Sequence, residues 1–459
     1  MNVAYVYPWD VVGDPAAAER IAALGVTTVA LAASYHSTRA ATPHHPAHRV
    51  LDVPHSAFYL PVRPEAWGRL TPAAPSWTSP DAYLLAQSAL RAAGLRVHAW
   101  TVLTHNAHLG TAFPDLVVRN AFGDPYPYAL CPSAPDVAEY CERLVREILV
   151  VAEPDGLILE GCGPMGFTHQ SVHEKTAGAD YDPDLMSLCF CASCTPRYPT
   201  DTRSLVRTAL DTLAHGALSP PPPATSTPTP PVPAAPASPE HAAHTSPHPS
   251  TSPPRSTRAD AHSPANPAEA ALSTAHPTDA APDPTNPIEA ALGTARPTDA
   301  APNPTNPIEA ALGPLADEVR RIRVDLSASL RHRLITAARE AAPDTPITLH
   351  ANPDPWATGP FAALPTGDPG ADVLVGNCWG DPSTDAARLT RLADLCTPGQ
   401  RVGAYVLALP PRPADAESLA ELLTIYAKAG ASEFHLYHAG LASPQRLAAM
   451  TRALTLTSP

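Results

Sequence analysis

Eight short apolar runs, each followed by a helix-like stretch, constrain this chain more than any other feature. The runs are Val3 to Tyr7, Thr27 to Ala32, Arg96 to Val102, Gly156 to Glu160, Ile347 to His350, Val373 to Gly376, Val402 to Leu407 and Glu433 to Tyr437. Between them lie helical stretches with start and stop signals: Asp14-Pro15 to Gly25, Ser79-Pro80 to Gly94, Asp136 to Val151, Asp415 to Gly430, and one opened by Ser443-Pro444. Strands that alternate with crossover helices run parallel, and eight such units close into a (β/α)8 TIM barrel. A doubly wound open sheet is the alternative. No G-x-G-x-x-G follows the first strand, which weakens its dinucleotide-binding version.

A barrel of this kind takes about 250 residues, and the chain has 459. The excess sits between strands four and five. From Thr200 to Gly313 the sequence is rich in Pro, Ala, Ser and Thr and poor in large apolar residues, so it buries too little surface to offset its ordering entropy. The expected organisation is a first half-barrel over 1–199, a disordered Pro/Ala-rich insertion over 200–313, and a second half-barrel over 314–459. Within the insertion a 20-residue unit recurs, from Pro264-Ala-Asn-Pro-Ala-Glu to Pro284-Thr-Asn-Pro-Ile-Glu to Pro304-Thr-Asn-Pro-Ile-Glu. Only the last copy continues into an apolar helical pattern, which runs towards Ala342. There Asn306 is the expected N-cap, with Pro307 at the first helical position and Glu309 at the third.

The formal charge of −14 and pI near 5.7 argue against a nucleic-acid partner, because Lys and Arg form no basic stripe. The amino terminus lacks the basic start and apolar core of a signal peptide, and no apolar run reaches about 18 residues. A soluble cytoplasmic protein with no membrane partner is therefore expected, and its eight cysteines read as thiols or metal ligands rather than disulfides. The sequence is silent on oligomeric state.

In such barrels the carboxyl ends of the strands build the active site. Here those ends carry Trp9 and Asp10, then Tyr35 and His36, then His98, Trp100, His105 and Asn106, then Glu160. The fifth strand leads to His350, Asp354 and Trp356, the sixth to Asn377, Trp379 and Asp381, and the eighth to Tyr437 and His438. Indole faces stack on sugar rings while Asp, Asn and His satisfy hydroxyls, so the set suits a carbohydrate. Barrel mouths also gather polar and aromatic residues with no such purpose. Glu160 ends a Leu-Ile-Leu run that is expected to desolvate its carboxyl and raise its pKa, as a general acid requires. Glycoside hydrolysis normally needs a second carboxylate, for which Asp354 and Asp381 are the candidates, followed by Asp10.

After Glu160 the chain holds His169, His173, Glu174 and Lys175. The order is not H-E-x-x-H, so a hydroxyl-binding loop or plain surface histidines are favoured over a zinc-protease site. Then comes Cys189-x-Cys191-x-x-Cys194. Thiolates this close repel unless a cation neutralises them, which points to a structural zinc with Cys131 or Cys162 as fourth ligand.

The path from Leu95-Arg-Val-His-Ala-Trp100, through Asn120-Ala-Phe-Gly and Leu130-Cys-Pro-Ser, to Asp155-Gly-Leu-Ile-Leu-Glu160 and Leu188-Cys-Phe-Cys-Ala-Ser-Cys194 resembles the hypothetical glycosyl hydrolases with (β/α)8 barrels. The cysteine segment is similar to the zinc-binding segment of family 42 β-galactosidases. The likeness is good over roughly residues 1–200 and loose over 315–459. It implies that Glu160 is the acid/base residue at the end of strand four. Retaining relatives carry their nucleophile glutamate at the end of strand seven, where this chain reads Gly403-Ala-Tyr-Val-Leu-Ala-Leu-Pro410 and offers no carboxylate.

The expected function is a glycosidase-like hydrolase acting on a carbohydrate or glycoconjugate, with no cofactor for catalysis. Trp100, Trp356 and Trp379 are its expected stacking platforms. One alternative is a non-catalytic carbohydrate-binding or scaffold barrel. The other is a metal-dependent hydrolase in which two or more of His36, His98, His105, His350 and His438 converge on a metal.

Overall fold

The computed structural model of the chain describes residues 1–170, 176, 178–215, 306–367 and 370–457. The chain divides into two units. One comprises residues 1–217 and 287–459, and the other, residues 218–286, lies outside the described residues.

Eight parallel strands form the centre of the first unit: β1 (Asn2–Val6), β2 (Thr28–Tyr35), β3 (Arg96–Val102), β4 (Gly156–Glu160), β5 (Ile347–Asn352), β6 (Val373–Cys378), β7 (Arg401–Leu407) and β8 (Ala431–Tyr437). Each pairs with the next, and β1 pairs on its other side with β8, through Asn2 with Phe434 and Ala4 with Leu436. That last pairing closes the barrel and excludes the open sheet. Burial on both faces explains the near-continuous apolar runs, since a parallel strand faces side chains inside and helices outside. The strands Thr28–Tyr35 and Gly156–Glu160 are buried at every residue.

The connecting helices are α1 (Ala17–Ala22), α2 (Ala82–Ala92), α3 (Pro135–Ala152), α4 (Thr202–His215), α5 (Pro307–Leu312), α6 (Ala316–Ala341), α7 (Pro382–Leu395), α8 (Ala416–Lys428) and α9 (Pro444–Thr457). Helix α3 shows why they form. Pro135 occupies the first helical position, where the missing N–H costs nothing, and Val137, Leu144, Val145 and Ile148 recur on the buried face. Asn306 caps α5 as the spacing predicts, its Oδ1 accepting from the N–H groups of Ile308 and Glu309. Gly313, at φ +51°, then interrupts the helix before α6.

Two antiparallel ribbons, Thr38–Ala41 with Val50–Val53 and Val117–Arg119 with Pro125–Leu130, elaborate the loops after β2 and β3. The alternating apolar pattern is too short there to be read without the turn geometry.

Beside the barrel core lies a second apolar cluster formed by the excursions after β3, β4 and β5. It joins Val118, Tyr126, Leu188, Val206, Leu210, Ile308, Leu312, Val319 and Trp356. Helices α4 and α5 pack against each other within it. The stretch expected to be an insertion therefore begins and ends in helix. Its remaining part, 216–305, with the repeats before Pro304, lies outside the described residues and falls between α4 and α5 rather than joining β4 directly to β5.

These boundaries yield a prediction. Deleting 218–286 is expected to leave the melting temperature of the chain unchanged. Extending the deletion through α4 removes Val206 and Leu210, each worth about 1.5–3 kcal/mol of burial, and is expected to lower the melting temperature measurably by calorimetry.

Candidate active site

Glu160 is the last residue of β4 and is only 6% exposed. A buried carboxylate must be paired or hydrogen-bonded, and both partners come from neighbouring strands. The Trp100 Nε1–H on β3 donates to Glu160 Oε2 at 2.7 Å. His350 on β5 brings Nδ1 to 3.3 Å from the same oxygen, ion-pair range. Burial pushes the Glu160 carboxyl up, but contact with His350 and the Trp100 N–H outweigh it and hold the group below the usual glutamate range. The expected rise of this pKa is thus reversed. The Leu-Ile-Leu run reports desolvation, whereas the compensating partners lie 60 residues back and 190 ahead.

Around Glu160 the mouth is lined by stacked aromatic rings. Tyr7 stacks on Trp9 with centroids 4.4 Å apart and on His438 at 4.2 Å. Tyr35 stacks on His36 at 4.1 Å, and His36 on His105 at 4.0 Å. Trp379 stacks on Tyr405 at 5.5 Å and contacts Tyr437 at 4.8 Å. The hydroxyls of Tyr7 and Tyr437 meet at 3.2 Å. The peptide joining Tyr437 to His438 is cis.

Several buried polar atoms at these strand ends have no hydrogen-bond partner within the protein: Trp9 Nε1, Asp10 Oδ1, His105 Nε2, Asn377 Oδ1, Trp379 Nε1 and both ring nitrogens of His438. Leaving each one unsatisfied costs about 1–3 kcal/mol, so each calls for an ordered water or another polar partner. Asp10 accepts the Tyr7 N–H at 2.7 Å and lies 3.9 Å from His438 Nδ1. Burial nevertheless lifts its carboxyl to about 7, with the Tyr7 N–H and Arg20 acting in the lowering direction. Burial likewise keeps His36, His105 and His438 below the ordinary histidine value and so neutral.

Other residues singled out from the sequence are engaged in structure. Asp381 is the exposed N-cap of α7, its Oδ2 accepting from Ser383 N and Thr384 N. Asp354 closes a turn by accepting the Trp356 N–H at 2.9 Å. Trp356 is buried in the second apolar cluster and donates Nε1–H to Glu309 at 3.1 Å, so its ring braces α5 and is not a stacking platform at the mouth. Asn106 caps the helix Ala107–Ala112. His98 sits at the opposite end of the barrel, level with Gly156. A Cβ on Gly156 would come within 2.6 Å of the His98 ring, so the glycine makes room for the imidazole. His169 contacts His105, Nε2 to Nδ1 at 2.9 Å. His173, Glu174 and Lys175 lie outside the described residues.

Tyr5, Glu433 and His435 also lie at buried polar contacts, although no motif singles them out in the sequence. A signal was there in the two-residue period, since Tyr5 and Tyr7, Gly403 and Tyr405, and Glu433, His435 and Tyr437 each share a strand face.

Cys131, Cys189, Cys191 and Cys194 converge, with all four sulfurs within 4.8 Å of one another and all four residues buried. They are the one such group that could hold a metal among the described residues, and no three rim histidines form another. Cys131 Sγ lies 3.5 Å from Cys191 and Cys194 and 3.8 Å from Cys189. A tetrahedral zinc with Zn–S of about 2.3 Å separates its sulfurs by about 3.8 Å, so the spacing fits. Cys162 belongs to the barrel core instead.

No protein-family description matches the chain, and no curated protein sequence matches it. Solved structures with similar folds include the catalytic domain of β-amylase from Paenibacillus polymyxa, at 10% identity and TM-score 0.49, covering 100% of this chain and 99% of that one. β-Galactosidase from Bacillus circulans sp. alkalophilus matches at 10% identity and TM-score 0.47, covering 99% and 56%. α-L-Fucosidase isoenzyme 2 from Paenibacillus thiaminolyticus matches at 10% identity and TM-score 0.44, covering 99% and 49%. The chain thus spans about half the length of the fucosidase. The barrel itself rests on the strand pairing above.

A charge test follows from the Glu160 contacts. In the wild type, stability contributed by the ionised carboxylate is present above the unfolded value of about 4.3 and lost as pH falls through the lower folded value. In His350→Ala, desolvation is opposed by Trp100 and His36 without the largest lowering partner, so the folded value rises. The melting temperature of that variant is expected to fall relative to wild type as pH climbs from about 4 to 7, measured by calorimetry.

Proposed function

We propose that the chain is a glycosidase-like hydrolase acting on a carbohydrate or glycoconjugate at the barrel mouth. The observation that carries this reading is the fixed, ionised Glu160 among unpartnered hydrogen-bonding groups and stacked aromatic rings. A polyol has alternating apolar faces and hydroxyl edges, which match these two kinds of surface.

Glu160, held as a carboxylate, acts as base or nucleophile. The proton-carrying partner is Asp10, whose carboxyl is held up to about 7. Two carboxyl groups displaced in opposite directions by their surroundings divide the roles between them. The charges of Glu160 and Asp10 both act on the Tyr437 hydroxyl. Asp354 and Asp381, in a turn and a helix cap, are less suited to the part.

A structural zinc at Cys131, Cys189, Cys191 and Cys194 belongs to this reading. Its site lies in the second apolar cluster, away from the Glu160 contacts, and a reducing compartment would keep its thiolates available. The metal would hold together the loops after β3 and β4 and supply no step of the reaction.

With a panel of aryl glycosides, Glu160→Gln is expected to lower kcat by about two to four orders of magnitude. Wild-type turnover is expected to fall as pH rises through about 7, and Asp10→Asn to remove that limb. Unchanged turnover in Glu160→Gln overturns the assignment, and sugar binding by calorimetry without turnover of any glycoside replaces it with a binding barrel. Purified protein is expected to contain one zinc per chain by elemental analysis. Cys194→Ala, or treatment with a strong chelator, should remove the zinc and lower the melting temperature.

A further inference from the structure

One buried charge has no carboxylate to answer it. Arg323 lies on α6 and is only 5% exposed. The other residues on the buried face of that helix, at intervals of three and four, are Ala316, Val319, Ser327, Leu330 and Leu334. A guanidinium thus occupies a position where the helix otherwise presents small or apolar side chains. Arginine is almost never buried to this degree unless it is paired. Arg388, equally buried, meets Asp385 at 2.7 Å. Arg323 meets no carboxylate among the described residues, and its Nε has no hydrogen-bond partner.

What stands beside Arg323 is the cysteine cluster. Arg323 lines a cavity of about 10 Å³ together with Cys131, Cys189, Cys194, Ser133 and Tyr198. That volume admits about one water molecule and no larger counter-ion. Burial raises the Tyr198 hydroxyl, and the charges of Arg323, Cys194 and Cys189 all act on it as well, so arginine and sulfurs share one small space. Both Val319, one turn before Arg323 on α6, and the four cysteines belong to the second apolar cluster.

The charges on the two sides complement each other. Four thiolates exceed the charge of one zinc ion by two, and a closed site has no bulk water to spread the excess. A guanidinium beside the sulfurs relieves part of it, and the sulfurs supply the negative charge that Arg323 lacks elsewhere. The match holds only with the metal bound. Without it the thiols keep their protons, the cluster is neutral, and Arg323 is a buried cation facing no counter-charge. On binding, the ion takes the place of four thiol protons, which leave to solvent. Ser133 Oγ, 3.1 Å from Cys194 Sγ, then donates its hydrogen to that sulfur.

We propose that Arg323 is the counter-charge of the four-cysteine metal site and makes the packing of α6 on the loops after β3 and β4 depend on the metal. The proposal rests on reading the cysteines as zinc ligands. Arg323 is a positioning residue, since it acts on the ligand sulfurs and not on the ion. Helix α6 precedes β5 and so opens the second half of the barrel. The metal's hold is thereby extended from two loops of the first half to a helix of the second.

The test uses full-length protein and zinc alone, with affinity read by competition against a chromophoric chelator at fixed pH. Arg323→Met replaces the cation with an unbranched apolar chain and is expected to weaken zinc binding about 10- to 100-fold. Arg323→Lys keeps a positive charge and is expected to fall between that variant and wild type. Equal affinity in wild type and Arg323→Met overturns the proposal. So does a loss that Arg323→Lys does not reduce, because charge is then not its cause. Should Arg323→Met fail to fold, Arg323→Gln is measured in its place.

Melting temperature separates charge from packing. In zinc-loaded protein it is expected to fall in Arg323→Met, and in metal-stripped protein to hold or rise, because a buried cation without a partner is costly. An arginine that only fills space lowers both alike, and that result also overturns the proposal. Wild type that takes up no zinc, or Cys194→Ala that keeps it, sinks the zinc reading itself. That outcome is distinct from a zinc site indifferent to Arg323.

Discussion

The pairing of β1 with both β2 and β8 is the constraint on which the rest depends. Without it the eight strands form an open sheet, and Tyr5 on β1 has no reason to meet His350 on β5 and His435 on β8 at once. Closure turns eight separate carboxyl ends into one ring, and so brings residues from every part of the chain to one place. It also shuts out water, which raises the cost of each polar group that is not matched.

That cost explains the pattern of partners around Glu160. A charged group deep in the barrel is tolerated only when paired and hydrogen-bonded. Trp100 supplies a charge-assisted hydrogen bond and His350 a nearby ring nitrogen, and the field they create exceeds the desolvation of the carboxyl. Asp10 is the counter-example. It is as buried but has one backbone donor, with Arg20 acting only through its charge, and its carboxyl is lifted to about 7. Two acids at the strand ends are thereby displaced in opposite directions by their neighbours rather than by their own chemistry.

The second apolar cluster has a different role. It is built from excursions that leave the barrel after β3, β4 and β5 and return to pack on one another, with the four cysteines among them. Trp356 belongs here, since its indole is held by Glu309 beneath α5. Helices α4 and α5, which flank residues 216–305 in the sequence, both belong to the cluster through Val206, Leu210, Ile308 and Leu312. This arrangement lets a long segment enter between β4 and β5 while both of its flanks are fixed by apolar burial.

The sequence by itself determined the eight strands, their order and most of their limits, because a strand buried on both faces must be apolar along its length. It also determined the Asn306 cap, the convergence of Cys189, Cys191 and Cys194, and the carboxylate at the end of β4, since these depend on spacings of a few residues. Tertiary structure alone decided which groups meet across the barrel. No local spacing links Glu160 to His350, Tyr5 to His435, or Cys131 to the other thiols, for these contacts depend on strand register and closure. For the same reason Asp381, Asn106 and Trp356 look alike in sequence to residues of the mouth and turn out to be two caps and a brace. A side chain's place along a strand is local, but its electrostatic partner is set by whatever the closed barrel brings opposite it.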